Sequence, residues 1–320
     1  MKATLRSLLP CLGLAATFLL FASIGPSAFH CAFNLKTILT QSVIVGIGAL
    51  GMTLVIVGGG IDLSVGSIIA LATVLAAKVL GLGFLPGAVL PWAAAACAVA
   101  AGAGCGLLNG FLTARLGIIA FIVTLGTMQI YRGAAKWAAG EQTVTAPASW
   151  LNALMEVDPT PAWLVLAPGA WILLALAGAV SLVLTRTVFG RHVFALGSNE
   201  ATARLCGIPV VRRRLLIYAL GGAFAGMAGV MQFANLTLGD PTAAEGMELD
   251  IIAAVVIGGG SLRGGEGTAV GSLVGALLMA VLRNGCNMAG IPNYLQNIVV
   301  GAIIIGAMGL DKWRQRAAET

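Results

Sequence analysis

The chain has 320 residues, of which 59% are hydrophobic and only 9% charged, where an ordinary globular domain carries about 25% charged residues. With a mean hydropathy of +0.98 and a net charge of +6, it is excluded from the class of water-soluble globules. The six cysteines (Cys11, Cys31, Cys97, Cys105, Cys206 and Cys286) are scattered with no CxxC spacing, so neither a disulfide framework nor a metal site is indicated, and they read as small buried hydrophobes.

A membrane-spanning helix needs roughly 20 apolar residues, and such runs recur along the whole chain. They predict an all-α polytopic membrane protein, a single domain over residues 1–320, with about ten spans: 8–29, 38–57, 64–81, 90–114, 118–138, 163–185, 213–235, 249–260, 268–288 and 293–310. The amino-terminal run could pass for a secretory signal, since Lys2 and Arg6 precede it. An uncleaved first helix is preferred. With that helix retained, an even number of spans puts the Lys2/Arg6 end and the Lys312/Arg314/Arg316 end both in the cytoplasm.

Between spans two and three stands VGGGIDLSVGS, Val57 to Ser67. Its Asp62 is the only acidic residue in the first 140 positions, and a carboxylate within hydrocarbon costs roughly 2.5 to 3.5 kcal/mol on insertion scales. It must therefore be solvated, paired or capping. Gly58, Gly59 and Gly60 let the backbone turn, and Asp62 stands where it can accept N–H groups from a helix beginning near Ser64, with Gly66 and Ser67 in its first turn. Two readings stay open: an N-cap on a cytoplasmic turn, or a broken helix opening on a polar cavity.

Spans four, seven and nine carry GxxxG steps at Gly102/Gly106/Gly110, Gly222/Gly226 and Gly271/Gly275, which predict close helix packing. Arg115, Arg186, Arg191, Arg204, Arg212, Arg213, Arg214 and Arg263 fall at one set of joints. Glu141, Glu156, Asp158, Asp240, Glu245, Glu248 and Asp250 collect at the other. That asymmetry assigns the basic joints to the cytoplasm.

The longest basic joint is the 186–214 segment. Within it Ser198 or Asn199 can cap a short helix, Glu200 to Cys206 supplies one to two turns, Gly207 can take the left-handed closing position and Pro209 stops continuation. Further on, VVIGGGSLRGGEGTAVGSLVGAL repeats the order of apolar run, triple glycine, polar turn, VGS and apolar run. It places Gly258, Gly259, Gly260 and Ser261 as a local echo of the first break. No lysine follows the glycines as a P-loop requires, and the chain contains no Gly-Lys pair. Polar residues inside spans are amides and hydroxyls without a buried acid-base pair, which suits a neutral, hydroxyl-rich solute. Asn109, Thr124, Thr127 and Asn284 are the candidate pathway residues.

The stretches GGGIDLSVGSIIAL, NGFLTARLG followed by FIVTLGT, GSNEATARLCGI, and ELDIIAAVVIGGGSLRGGEGTAVGSLVGALL resemble the permease subunits of ribose-type (carbohydrate uptake 2) ABC importers, in the same order, from about residue 38 onward. The resemblance implies a type II importer-like permease in the bacterial inner membrane, with two copies, as a homodimer, forming the pore. The implied partners are a cytoplasmic ABC ATPase, which binds the ATP and Mg so that this chain needs no cofactor of its own, a periplasmic sugar-binding protein and membrane lipid. No nucleic-acid partner is expected. It also implies that Ser198, Asn199, Glu200, Ala201, Arg204, Leu205, Gly207 and Ile208 form the coupling helix that docks on the ATPase. The chain departs from the family at Ile118, Ile119 and Ala120, where prolines are common, at Cys206 for serine and at Gly260 for threonine.

Three rivals are weighed: a branched-chain amino acid or nucleoside permease of related type, an ion-coupled secondary transporter, and an intramembrane hydrolase. The second needs embedded carboxylates or histidines, and Asp62 stands nearly alone. The third needs serine beside histidine, yet His30 and His192 fall on opposite sides of the membrane.

Overall fold

The computed structural model describes residues 2–82 and 86–319, with side chains described for 9–82, 86–161, 163–303, 305, 306 and 309. The basic side chains expected at Lys2, Arg6, Lys312, Arg314 and Arg316 lie outside the described ones. Among the described residues, twelve α-helices carry the fold. They are α1 (Lys2–Ile24), α2 (Ala32–Val57), α3 (Val65–Leu80), α4 (Leu90–Ala114), α5 (Ala120–Ala139), α6 (Pro168–Arg186), α7 (Val188–Ser198), α8 (Glu200–Leu205), α9 (Val210–Leu236), α10 (Met247–Ile257), α11 (Ala269–Met288) and α12 (Asn293–Glu319). Each expected span holds one of them. The first stops at Ile24 rather than residue 29, where Gly25 and Pro26 end it, and the last runs on past residue 310.

Five of these helices, α2, α4, α6, α9 and α11, are long and apolar enough to cross a membrane. The α2 helix is buried nearly all round from Val43 onward, as a helix without a polar face must be. It runs through the centre, against α9, α11, α10 and α6. The amino-terminal helix packs into the body: Phe21 is buried beside Phe29, and a Cβ on Gly13 would meet Leu278 at 3.4 Å. At one end of the bundle, Asn34 and Asn284 exchange two amide hydrogen bonds of 3.1 and 3.0 Å, and Lys36 pairs with Asp158 at 2.6 Å. At that same end a two-residue antiparallel pair joins Val144–Thr145 to Leu238–Gly239.

The most extensive packing in the molecule is α4 on α9, and its cause is glycine. The GxxxG steps of the two helices face each other. A Cβ on Gly102 would meet the Gly226 Cα at 2.9 Å, and one on Gly106 the Gly222 Cα at 3.1 Å and, closer still, the Tyr218 carbonyl. On the other side of the bundle Gly275 lies against the backbone of Ala254 in α10. Backbones that touch gain dispersion contacts over a continuous strip, the drive that holds membrane helices together where lipid removes the hydrophobic one.

Of the helices in the expected spans, α10 is the shortest. At 1.5 Å per residue, the 11 residues of α10 reach about 16 Å, near half the hydrocarbon thickness. The chain enters it by turning back. Gly239 lies against Thr73 to Ala77 of α3, whereas Ala244 and Glu248 lie against Gly66 in the first turn of α3. Glu248 and Asp250, expected at the acidic joint, therefore sit in the first turn of a half-length helix inside the bundle.

The expectation of buried cysteines is corrected: only Cys286 is buried, Cys97 and Cys105 are half-buried, and Cys11, Cys31 and Cys206 are exposed. Two of the exposed ones stand at helix ends, Cys31 as the N-cap of α2 and Cys206 as the C-cap of α8.

Gly106→Val should lower the detergent melting temperature by an amount matching at least about 1–3 kcal/mol of overpacking, because backbone leaves nowhere to yield. Gly104→Ala, where a Cβ meets nothing within 4 Å, should change it little. Equal melting of the two variants would count against glycine packing as the organiser of this pair.

Candidate functional site: two helix breaks and a capped linker

The two triple glycines close their helices by the same hydrogen bonds. At the end of α2, Gly59 N donates to Ile56 O (2.9 Å) and Gly60 N to Val55 O (2.9 Å), with Gly59 at φ +81°. At the end of α10, Gly259 N donates to Val256 O (3.0 Å) and Gly260 N to Val255 O (2.9 Å), with Gly259 at φ +95°. Both are Schellman closures, which require a left-handed residue at the middle glycine. The echo legible in the sequence is thus a repeated backbone structure. After each break the VGS triplet lies in the first turn of the next helix, Gly66 and Ser67 in α3 and Gly271 and Ser272 in α11.

Beyond the first break, Asp62 is 3% exposed, and its hydrogen-bond donors among the described residues are neutral. Its Oδ1 accepts from Ser64 N (2.8 Å) and Ser64 Oγ (2.6 Å), and Asn109 Nδ2 of α4 lies 3.3 Å from Oδ2 and 2.9 Å from Ser64 Oγ. The Tyr131 hydroxyl of α5 stands 2.8 Å from the Cys105 carbonyl and 3.1 Å from Asn109 Oδ1. A buried carboxylate is tolerable only with such a set of donors. Asp62 accepts one backbone N–H, that of Ser64, and not those of the helix itself, whose N-cap residue Ser64 makes no side-chain cap bond. Ser67 Oγ is buried with no hydrogen-bond partner among the described residues. Ser261, in the second break, is buried and accepts from Arg263 N (3.4 Å).

Of the four pathway candidates, Asn109 and Thr124 join this cluster, Thr124 Oγ1 donating to Ala120 O (2.9 Å) with Ile61 O at 3.3 Å, and Thr127 follows one turn along α5. Asn284 stands elsewhere, in its reciprocal pair with Asn34. Tyr131 and Tyr218, which sequence reasoning missed, complete the cluster. Tyr218 is buried in α9 with its hydroxyl 3.5 Å from Ile61 O.

One expectation is narrowed: inside the bundle a buried carboxylate, Asp250, pairs with an arginine that is itself partly exposed. Arg283 of α11 donates Nε to Asp250 Oδ2 (3.1 Å) and Nη2 to both oxygens of Asp250 in α10 (2.9 Å each). An arginine inside the 268–288 run was the available signal, since a charge there demands a partner. Likewise Arg132 of α5 donates to the carbonyls of Pro241 (2.9 Å) and Ala243 (2.7 Å), holding the returning segment that leads into α10.

The basic linker holds two helices where one was expected. Thr187 caps α7, accepting from Gly190 N at 3.1 Å, and Gly190, Val193 and Leu196 form its buried stripe. Asn199 then caps α8, accepting from Thr202 N at 2.9 Å, and Gly207 at φ +80° closes it. Ser198 is the last residue of α7. Leu205 is 89% exposed beside Arg204, while Glu200 reaches back to Arg214 of α9 at 2.7 Å and to Arg204 at 3.0 Å. Burial acts to raise the Glu200 carboxyl, but the hydrogen bond and charge of Arg214, then of Arg204, hold it below its ordinary value. Burial and the charges of Arg213 and Arg191 lower His192. A cleft of about 310 Å³ opens between Gly59, Gly60, Thr113, Glu200, Arg214 and Tyr218, so the linker and the first break share one wall.

Residues 34–308 match the family model described as branched-chain amino acid transport system / permease component. The chain is 37% identical to the ribose import permease protein of Escherichia coli (strain K12), covering 98% of this chain and 96% of that one. It is 35% identical to the L-arabinose transport system permease protein of the same strain, over 96% and 90% of the two chains. With the fructose import permease protein of Rhizobium meliloti it shares 34% identity, over 97% and 86%. No solved structure matches it.

Because the Glu200 carboxyl is depressed in the folded state, its contribution is complete at neutral pH and is lost as pH falls from the ordinary carboxylate value, about 4.3, through the lower folded one. Glu200→Gln should therefore melt below the parent at pH 7, by less than about 1 kcal/mol because the pair is partly exposed and screened. The gap should begin to narrow below about pH 4.3 and close only once the pH is below the folded value. A gap unchanged by acid would show that the ion pairs are not its source.

Proposed function

The chain belongs to the ribose-type ABC import permeases, and from that premise we propose that it is the membrane-spanning subunit of an ATP-driven importer of a pentose or hexose. The observation that carries the substrate class is its near full-length similarity to permeases named for ribose, L-arabinose and fructose. The chain itself supplies the route. ATP is bound and hydrolysed, with Mg, by a separate cytoplasmic ATPase, and sugar is delivered by a periplasmic binding protein. In this reading two copies of the chain form the pore, and the basic end with both termini faces the cytoplasm.

Transport proceeds by alternating access: closure of the ATPase pair moves the docked linker, and the helices around the pore exchange an outward for an inward opening. Within it, α8 is the docking element, with Leu205 offered to an apolar groove and Arg204 beside it, while Asn199 and Gly207 fix where the helix starts and stops. Asp62, Ser64 and Ser67 hold the first break, Ser261 belongs to the second, and Asn109, Thr124, Thr127 and Asn284 are the candidate residues along the route. The hydroxyls and amides near the first break suit a polyol, which needs many neutral donors and acceptors and no counter-charge. The Asp250–Arg283 pair neutralises itself, leaving no free charge there for ion coupling.

The family description also names branched-chain amino acids, which gives a second reading its one support. ATP hydrolysis by the chain reconstituted with its co-purifying ATPase and binding protein separates them. Stimulation by ribose, arabinose or fructose is expected. Stimulation by leucine or valine instead would move the assignment, and uptake that persists without ATP but collapses with the ion gradient would end it. In the same assay Arg204→Glu should leave membrane insertion intact and lower stimulated hydrolysis about tenfold, the scale of ordinary inter-site coupling. Unchanged stimulation would remove α8 from the docking role.

A further inference from the structure

The two helix breaks and the linker meet at one point, and all three contribute bare backbone there. Gly197 lies in the last turn of α7, two residues before the Asn199 cap of α8. A Cβ on Gly197 would collide with the Val57 carbonyl, at the end of α2, and would stand 2.5 Å from Gly265 N in the turn after the second break. Gly264 approaches from the same turn, where a Cβ would meet Gly197 O at 2.7 Å and the Cα atoms of Gly197 and Gly59 at 2.8 Å each. A Cβ on Gly265 would meet Ser198 Oγ at 2.5 Å. Gly265 N donates to Val57 O at 2.9 Å, so the breaks are also bonded directly to each other. Gly59, Gly264 and Gly265 have φ of +81°, +88° and +76°, where only glycine is unstrained.

A contact between side chains yields by changing rotamers, whereas backbone against backbone has no such freedom. Displacing the end of α7 by a few tenths of an ångström must therefore move the loop that closes α2 and the loop that follows α10. The first loop leads within two residues to Asp62 and its hydrogen-bonded cluster. The second leads into α11, whose Ser272 hydroxyl lies 2.6 Å from that of Thr53 in α2.

We propose that Gly197 is a positioning residue for transport: its bare backbone passes the displacement of α8 to both helix breaks at once. The inference rests on the reading of α8 as the element that docks on the ATPase. It adds where that movement goes and through which atom-to-atom contact.

The test uses the full chain in complex with its co-purifying ATPase and binding protein. In Gly197→Ala, the ATPase should still co-purify and the KM for ATP should stay the same, while sugar stimulation of hydrolysis falls about tenfold, within the usual range of inter-site coupling. Gly178→Ala, a helix glycine of α6 with nothing within 4 Å of its added Cβ, should retain stimulation. Full stimulation in Gly197→Ala overturns the proposal. Hydrogen exchange on the wild-type complex decides independently of whether that variant assembles. Between the nucleotide-free state and the state trapped with Mg-ATP and vanadate, exchange should change together in 199–208, 57–62 and 258–267. A change confined to 199–208 overturns the proposal while leaving the docking reading intact. No change in 199–208, or no co-purifying ATPase, overturns both.

Discussion

A helix that ends within a protein leaves its last carbonyl groups without intrahelical partners, and each one buried and unsatisfied costs of order 1–3 kcal/mol. This chain stops two helices, α2 and α10, at triple glycines and satisfies the carbonyls of Val55 and Ile56, and of Val255 and Val256, within the break itself. The same pair of Schellman bonds serves both, with the middle glycine left-handed. At α2 the last carbonyl, that of Val57, is closed instead by Gly265 N from the turn after the second break, at 2.9 Å. The loops beyond make other contacts: Asp62 with its hydroxyl and amide donors, Gly264 and Gly265 with the linker.

Glycine does a different job in the α4 and α9 pair. There it removes side chains from a helix interface so that backbones touch along a strip, at Gly102, Gly106, Gly222 and Gly226. The two uses have opposite mechanical sense. In the helix pair the close approach fixes two full-length spans against each other. At Gly197 it joins a surface linker to two loops, neither of which is a regular element.

Much of this was legible in the sequence because the signals are local. Apolar runs located the spans, GxxxG steps located the tight pairing, and the order Asn199, Glu200 to Cys206, Gly207, Pro209 encoded a cap, a helix, a left-handed stop and a breaker. The triple glycines with their VGS triplets were visible as an echo. What the sequence hid depends on long-range approach. Nothing near Gly239 announces that the chain turns back to start α10 partway along the bundle, opposite the first turn of α3. Asp250 and Arg283 lie in different spans, and their pairing follows from the packing of α10 on α11. The α7 helix was legible in part, since Thr187 and the i, i+3 spacing of Gly190, Val193 and Leu196 are an ordinary helix start and stripe, but the arginines around it read first as a loop that holds topology.

The Asp250–Arg283 pair has an electrical consequence. A unit charge carried across a membrane potential of 100 mV does about 2.3 kcal/mol of work, enough to bias any helix movement that carries it. Because the guanidinium grips both carboxylate oxygens, α10 and α11 moving together carry a pair whose net charge is zero. Displacement of this pair through the field does almost no electrical work. That neutrality agrees with the proposed ATP-driven import, which draws no energy from the membrane potential.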